Sequence, residues 1–202
     1  MKNFQIRRAL TGFTLIELLV TVAIAGILML LAVPSLTEFR RNAELTSIAN
    51  KVVGSINAAR GEALKRGMDA LMVPIDNGSS WDAGWVSFVD KARSRTYDAT
   101  VEGTVATQGP IPAGITVTGN GNATGTAPYI MFNASGYAAN KTAGAVNNLR
   151  LRIQRNDVTG AEQLAQTRIV RVSVTGRVTV CRPVSATDTN CNPNLASTSF
   201  EN

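Results

Sequence analysis

The stretch Gly12-Phe13-Thr14-Leu15-Ile16-Glu17 joins a basic leader, Met1–Leu10, to an apolar run that reaches Val33. Glu17 is the only charged side chain between Phe13 and Val33. A carboxylate inside a bilayer costs about 2.5 to 3.5 kcal/mol unless it finds a partner. We therefore expect Glu17 to meet a positive group, and we expect the stretch to serve both as a targeting signal and as an assembly element.

Cleavage between Gly12 and Phe13 would supply that positive group. The new α-amino group of Phe13 would precede Glu17 by four residues, and the carboxylate of a neighbouring copy could pair with it. Such a pair would set the stagger between subunits in an assembly.

The apolar run has 21 residues, which is long enough for a helix that spans a bilayer. The basic leader suits the cytoplasmic side of such a span. An ordinary secretory signal peptide would need a shorter apolar core, followed by a small-residue cleavage site that the chain lacks at this place. A plain signal anchor would account for the length of the run, but it leaves Glu17 without a role.

The six residues 12–17 resemble the class III signal of type IV pilins and of type II secretion pseudopilins. Pro34, the 22nd residue after the proposed cut, matches a proline that pilins commonly carry. The resemblance implies cleavage after Gly12 by the prepilin peptidase and N-methylation of Phe13. It also implies that Glu17 and Pro34 act in subunit assembly.

Composition predicts one soluble domain behind the anchor, since the chain has 202 residues. The formal net charge is +6, but Lys2, Arg7 and Arg8 belong to the leader, and without them the excess of basic residues is small. The chain has no histidine, no phosphate-binding glycine loop and no metal-ligand spacing. We therefore predict neither an enzyme nor a cofactor or metal site.

Cys181 and Cys191 are the two cysteines, and the anchor topology would place both outside the cytoplasm. A disulfide is the expected state in such a compartment. Two free thiols are the main alternative, and metal ligation is a weaker one because histidine is absent.

The chain divides into four predicted parts: a leader at 1–12, a transmembrane assembly helix at 13–34, an amphipathic helix half at 35–67 and a β-rich periplasmic domain at 68–202. The amphipathic half carries apolar residues at helical spacing, which should pack on a sheet. These are Leu45, Ile48, Ala49, Val52, Ile56, Ala59 and Ala63. Gly67 is a natural end for this helix.

Alternating or continuous apolar runs predict seven strands in the last part. They are Leu71–Ile75, Trp85–Val89, Ile115–Val117, Tyr129–Phe132, Leu149–Gln154, Ile169–Val174 and Arg177–Arg182. In the last three, Val170, Val172, Val174, Val178 and Val180 are among the residues expected to face inward. Residues 98–126 and 137–147 are otherwise rich in small and polar residues, and no further structure is predicted for them.

Three motifs in this part resemble the GspH/FimT family of minor pilins and pseudopilins: Ala59–Arg66, Gly84–Asp90 and Val174–Val178. The resemblance implies an α+β fold, in which a long N-terminal pilin helix packs on an antiparallel β-sheet domain. It implies a structural minor pilin that initiates or caps a type IV pilus of a Gram-negative bacterium. Its partners would be other pilin or pseudopilin subunits, the prepilin peptidase and, before assembly, the inner membrane. A type II secretion pseudopilin of the H type is the alternative within the class.

Outward-facing arginines on the last strands predict a basic stripe that could follow a phosphate backbone. The stripe would comprise Arg150, Arg152, Arg171 and Arg177, with Arg155 and Arg182 near its ends. Some minor pilins of the FimT type bind DNA in transformation through a Gly-Arg-x-Arg motif. Here the second arginine of that motif is replaced by Thr179. The stripe is therefore either a DNA-binding surface or a solvated strand face.

Overall fold

The structure is a computed structural model that describes residues 12–142 and 146–195, without the side chains of residues 31–35 and 76. The leader, apart from Gly12, lies outside the described residues. The chain forms two compact units, Met1–Arg41 and Asn42–Asn202, which are treated separately below. Helix α1, Leu15–Arg66, contributes its first part to one unit and its second part to the other, and it is continuous through Pro34.

In the first unit, helix α1 exposes its large apolar side chains, including Leu15, Leu19 and Ile27. Among the residues whose side chains are described, no helix has both the length and the apolar character needed to cross a membrane. The predicted transmembrane segment at 13–34 extends into residues 31–35, so part of that prediction lies outside the described side chains.

In the second unit, helix α1 packs one apolar face into the core. All seven residues of the predicted stripe are buried, from Leu45 to Ala63. The helix ends as expected at Gly67, whose φ of +63° suits a residue without a Cβ and whose amide donates to the carbonyl of Ala63 at 2.9 Å.

Two antiparallel sheets complete this unit. Their strands are β1 Ala70–Pro74, β2 Trp85–Val89, β3 Gly103–Gln108, β4 Ile115–Gly119, β5 Ile130–Phe132, β6 Ala138–Ala139, β7 Leu149–Arg155, β8 Thr167–Val172 and β9 Val178–Cys181. The first sheet has the strand order β3-β2-β1-β5-β6, and the second has the order β4-β7-β8-β9. A short helix α2, Gly160–Ala165, joins β7 to β8. The predicted α+β fold, with a long N-terminal helix and antiparallel sheets, is confirmed.

Two details of the strand predictions are wrong. Val174 and Val180 were expected to face inward, but each is 41% exposed. Strand β8 ends at Val172 because the chain turns over Ser173–Gly176, where the amide of Gly176 donates to the carbonyl of Ser173 at 2.8 Å. Strands β3 and β6 were missed. The sequence of β3, Gly-Thr-Val-Ala-Thr-Gln, has little apolar content, and β6 has only two residues.

Polar side chains fix the helix on each sheet. The hydroxyl of Ser55 accepts the indole N–H of Trp85 at 2.9 Å, and the carbonyl of Ser55 accepts the hydroxyl of Ser87 at 3.1 Å. On the second sheet, the buried guanidinium of Arg155 pairs with Glu44 of the helix at 2.8 Å.

Candidate functional site

The N-terminal motif begins the helix through reciprocal capping. The amide of Glu17 donates to the hydroxyl of Thr14 at 3.2 Å, and the amide of Thr14 lies 3.5 Å from a carboxylate oxygen of Glu17. This is the capping box, in which a Thr and a Glu three residues later satisfy each other's backbone amides. The sequence pattern Thr-x-x-Glu is the signal of a capping box, but the sequence prediction used only the charge of Glu17 and not this pattern.

The capping box and the predicted assembly role are compatible. A carboxylate has two oxygens and about four acceptor positions, so Glu17 can accept a second donor while it caps the helix. Phe13 is 81% exposed and Gly12 is also exposed, so the junction between them is accessible. Cleavage at this junction and methylation of Phe13 stay predictions, as does the role of Pro34, whose side chain is not described.

A second cluster forms around Arg60, which lies in the Ala59–Arg66 motif of helix α1. The guanidinium donates through Nε to the carbonyl of Gly136 at 2.8 Å and through Nη2 to the carbonyl of Thr175 at 3.2 Å. These carbonyls belong to the turn before β6 and to the turn between β8 and β9. Beside them, the amide of Ala138 donates to the carbonyl of Val174 at 3.0 Å. Arg60 therefore joins the helix to a turn of each sheet.

Glycine is required at both of these turns. Gly136 has a φ of +73° and Gly176 a φ of +79°. A Cβ at Gly176 would lie 2.2 Å from the carbonyl oxygen of Gly136 and 2.6 Å from Nε of Arg60. Two of the motifs singled out in the sequence, Ala59–Arg66 and Val174–Val178, thus meet at one contact. The sequence alone does not indicate that these two motifs touch.

Three arginines of the predicted stripe, Arg150, Arg152 and Arg171, lie on the neighbouring strands β7 and β8. Arg150 and Arg171 stand opposite each other in the pairing of β7 with β8. A segment near the C-terminus, residues 188–193, crosses this face, and we name it the strap. Its backbone carbonyls accept one guanidinium N–H from each of three arginines: Arg171 to Asn190 at 2.7 Å, Arg150 to Asn192 at 3.3 Å and Arg152 to Pro193 at 3.4 Å.

The arginines under the strap differ in burial. Arg150 is 2% exposed, and this burial, followed by the nearby charge of Arg171, lowers the pKa of its guanidinium. Ile169, which the alternation placed on the outward face, is fully buried. Of these three arginines only Arg150 is buried, since Arg152 and Arg171 are half-buried, and the use of the stripe stays a prediction.

The remaining basic residues do not extend the cluster into a stripe. Arg177 is exposed in the turn before β9, and Arg182 is exposed just after that strand. Arg155 is buried against Asp157 and Glu44, whose carboxylates raise the pKa of its guanidinium. DNA binding itself stays a prediction.

A disulfide holds the strap to β9, as predicted for Cys181 and Cys191. Within the strap, the carboxylate of Asp188 accepts the amides of Val184 at 2.9 Å and of Asn190 and Cys191 at 3.0 Å each. These bonds, that of Val184 foremost, lower the pKa of Asp188, and the charge of Arg171 lowers it further. Sequence reasoning expected the cysteines to tie the tail to the last strand, but it missed that the tail covers the arginines.

No group of three or more His, Cys, Asp or Glu side chains within the described ranges could hold a metal ion.

Comparison with known families gives two matches along the chain. Residues 49–177 match the family described as type II transport protein GspH. Residues 7–33 match the prokaryotic N-terminal methylation motif. No curated protein shows significant similarity to the chain.

Two solved structures resemble the fold. The type IV minor pilin FimU of Pseudomonas aeruginosa is 17% identical, with a TM-score of 0.51 over 71% of this chain and 92% of that one. The minor pseudopilin EpsH of the Vibrio cholerae type 2 secretion system is 14% identical, with a TM-score of 0.46 over 70% of this chain and 99% of that one. The likeness to FimU indicates a shared fold.

Proposed function

Because the chain belongs to the GspH family, whose members are structural pilins and pseudopilins, we propose that it is a minor pilin that initiates or caps a type IV pilus. The proposal rests on the order of the two family matches along the chain. A methylation motif at 7–33 is followed by a GspH domain at 49–177, the arrangement of a subunit made as a precursor and assembled through its N-terminal helix.

The proposed sequence of events starts at the N-terminus. The prepilin peptidase cleaves after Gly12 and Phe13 is methylated, while the apolar run holds the subunit in the inner membrane with the β domain in the periplasm. On assembly, Glu17 pairs with the amino group of a neighbouring subunit. The capping box supports this step, because it keeps the carboxylate 3.5 Å from the amide of Thr14, beside the first turn of the helix, before a partner arrives.

The β domain would supply the contacts that distinguish one subunit from another. We propose other pilin subunits as its partners and no catalytic role. The chain lacks histidine, and its buried cations and carboxylates have structural partners where the structure describes them, as Arg155 does in Glu44 and Asp157.

A type II secretion pseudopilin of the H type is the second candidate, since the family takes its name from a type II transport protein. The genes that neighbour the coding sequence would distinguish a pilus operon from a secretion operon.

The decisive experiment is deletion of the gene with complementation by the wild type and by Glu17→Ala. Surface pili counted by electron microscopy and secreted enzymes measured in the medium are the two readouts. We expect the deletion to lose pili and retain secretion, and we expect Glu17→Ala to be processed without restoring pili. Loss of secretion with pili intact would refute the pilus proposal in favour of the secretion pseudopilin.

A further inference from the structure

The two sheets have four edge strands, and three of these edges are protected. On β4, the carboxylate of Asp82 accepts the amide of Val117 at 2.7 Å. Strand β6 has only two residues, and the amide of Ala138 is already bonded to the turn after β8. Strand β9 has four residues and lies between the exposed cations Arg177 and Arg182. Short strands, covered amides and edge charges all keep a sheet from pairing with another chain.

Strand β3, the fourth edge, has none of these three protections. It has six residues, and its sequence Gly-Thr-Val-Ala-Thr-Gln contains neither a charged residue nor a proline. In the part of the chain that the structure describes, no hydrogen bond joins its backbone to a segment other than β2. Its register with β2 shifts once, between Ser87 and Phe88, and Ala106–Gln108 lie beyond the shift with regular pairing. An uncharged, uncovered edge of this kind favours pairing with a further strand.

The backbone of Thr107 points away from the sheet. The amide of Ile75, just after β1, donates to the carbonyl of Gly84 at 3.0 Å. Successive residues of a central strand bond to opposite neighbours, so Trp85 bonds to β3, where its partner is Gln108. Thr107 is the next residue along β3 and therefore directs its own N–H and C=O outward. Its side chain is exposed as well.

We propose that β3 pairs with β3 of a second copy of this chain, in an antiparallel two-fold arrangement centred on Thr107. The two Thr107 residues then exchange both N–H···O bonds, as a hydrogen-bonded pair of an antiparallel ladder does. Ala106 of each copy faces Gln108 of the other. Pro110 follows closely and, having no N–H, limits the length of the pairing.

The sequence of the edge favours a second copy as the occupant. A strand that pairs with itself sets identical residues opposite each other at the two-fold axis, and like charges there are destabilising. Strand β3 has no charge, and its central pair is threonine with threonine, a favourable cross-strand combination. Two-fold symmetry uses each edge once, so the assembly closes at two chains. The inference goes beyond the proposed function, because a pilin and a secretion pseudopilin could both form this pair.

The test measures association of the purified full chain in detergent by sedimentation over a range of concentrations. We expect a monomer–dimer equilibrium for the wild type. Thr107→Pro removes only an outward N–H, which edge strands tolerate, and should raise the Kd of the dimer at least about tenfold, since each copy loses one intermolecular bond. Thr107→Val keeps the amide and the branched side chain and should leave the Kd unchanged. Thermal unfolding of monomeric Thr107→Pro should match that of the wild type.

Charge substitutions test the two-fold centre without altering the amide. Thr107→Lys and Thr107→Glu should each weaken the dimer, because like charges then face each other, and an equimolar mixture of the two should restore it. The same pair of substitutions at Thr118, which is exposed on the protected edge β4, should show no effect of mixing. These variants decide the outcome even if Thr107→Pro does not fold.

A wild type that stays monomeric at every concentration would overturn the proposal. A dimer that is as tight in Thr107→Pro as in Thr107→Val would also overturn it, because association would then use another surface, such as the exposed apolar side chains of helix α1. Failure of the Lys and Glu variants to pair with each other would overturn the two-fold centre at Thr107.

Discussion

Arg60 donates to the carbonyl of Gly136 at 2.8 Å, across 76 residues of sequence. Its second bond, to Thr175, reaches a turn of the other sheet. One partly buried side chain of helix α1 thus joins the helix to a turn of each sheet. Substitution of Arg60 should therefore show how much its two hydrogen bonds contribute to holding the helix against both sheets.

Arg60→Gln should lower the free energy of unfolding by about 2 kcal/mol, because hydrogen bonds from a charged donor contribute about 1.5 to 3 kcal/mol each and this site is partly exposed. Urea unfolding of the purified protein measures the change. Arg66→Gln is the control, since Arg66 pairs with Glu62 in an exposed i,i+4 pair worth about 0.3 to 0.5 kcal/mol. Equal effects of the two substitutions would contradict the linking role of Arg60.

Gly176→Ala should destabilise by about 3 kcal/mol or more, through overpacking against the carbonyl of Gly136 added to a left-handed backbone. Gly160→Ala separates the two causes, because Gly160 has a φ of +62° with open space around it. That control should cost only about 1 to 2 kcal/mol. Thermal unfolding of both variants checks the difference, and similar losses would show that the close approach is unimportant.

Ser55→Ala should cost about 1 to 3 kcal/mol, because it leaves the buried indole N–H of Trp85 without its acceptor. Ser47→Ala, on the exposed side of the same helix, should change stability by less than about 0.5 kcal/mol. Denaturant midpoints are the measurement. The prediction fails if the buried and exposed serines behave alike.

The strap should loosen in acid. Backbone hydrogen bonds, that of Val184 first, hold the pKa of Asp188 below its ordinary value. A carboxyl whose folded pKa is depressed stabilises the fold fully above its unfolded pKa of about 3.9, and this contribution is lost as the pH falls through the lower folded pKa. The protection of the Asn190 and Cys191 amides against hydrogen exchange should therefore fall below about pH 4, because both donate to this carboxylate.

Two variants isolate this carboxylate from general acid effects. Asp188→Asn should flatten the pH dependence between pH 6 and pH 3. Asp98→Asn should leave it unchanged, because the pKa of Asp98 is lowered by hydrogen bonds from Thr100, in another loop. A pH profile that survives Asp188→Asn would assign the effect to a different group.

Processing should be visible at the N-terminus. Mass spectrometry of protein extracted from membranes should show a methylated Phe13 as the first residue, and an intact Met1 in cells with active peptidase would refute this. Gly12→Val should block cleavage, whereas Glu17→Ala should allow cleavage but reduce incorporation into pili. Thr14→Val removes the cap, at a cost of about 1 kcal/mol to the helix, and should impair incorporation less than Glu17→Ala.

Local patterns were enough to predict the helix face and most strands. The stripe from Leu45 to Ala63 has helical spacing, and burial follows from that spacing alone. Strand β3 was not predicted, because its pairing with β2 stabilises a strand that its composition does not indicate. Patterns also cannot reveal contacts between distant segments, and both the Arg60 cluster and the cover over Arg150 arise from such contacts.

The ion pair between Glu44 and Arg155 has a consequence for the order of folding. The two residues are 111 positions apart, and the arginine side chain is only 8% exposed. Helix α1 can form its turns within microseconds, yet it cannot complete its contacts until β7 has been synthesised and paired. Contacts of such high sequence separation slow folding, because the entropy of closing the loop is lost before the contact forms. The end of the α1 face that carries Glu44 therefore stays open until β7 has paired, so a factor that shields it in the nascent chain should raise the yield of folded protein.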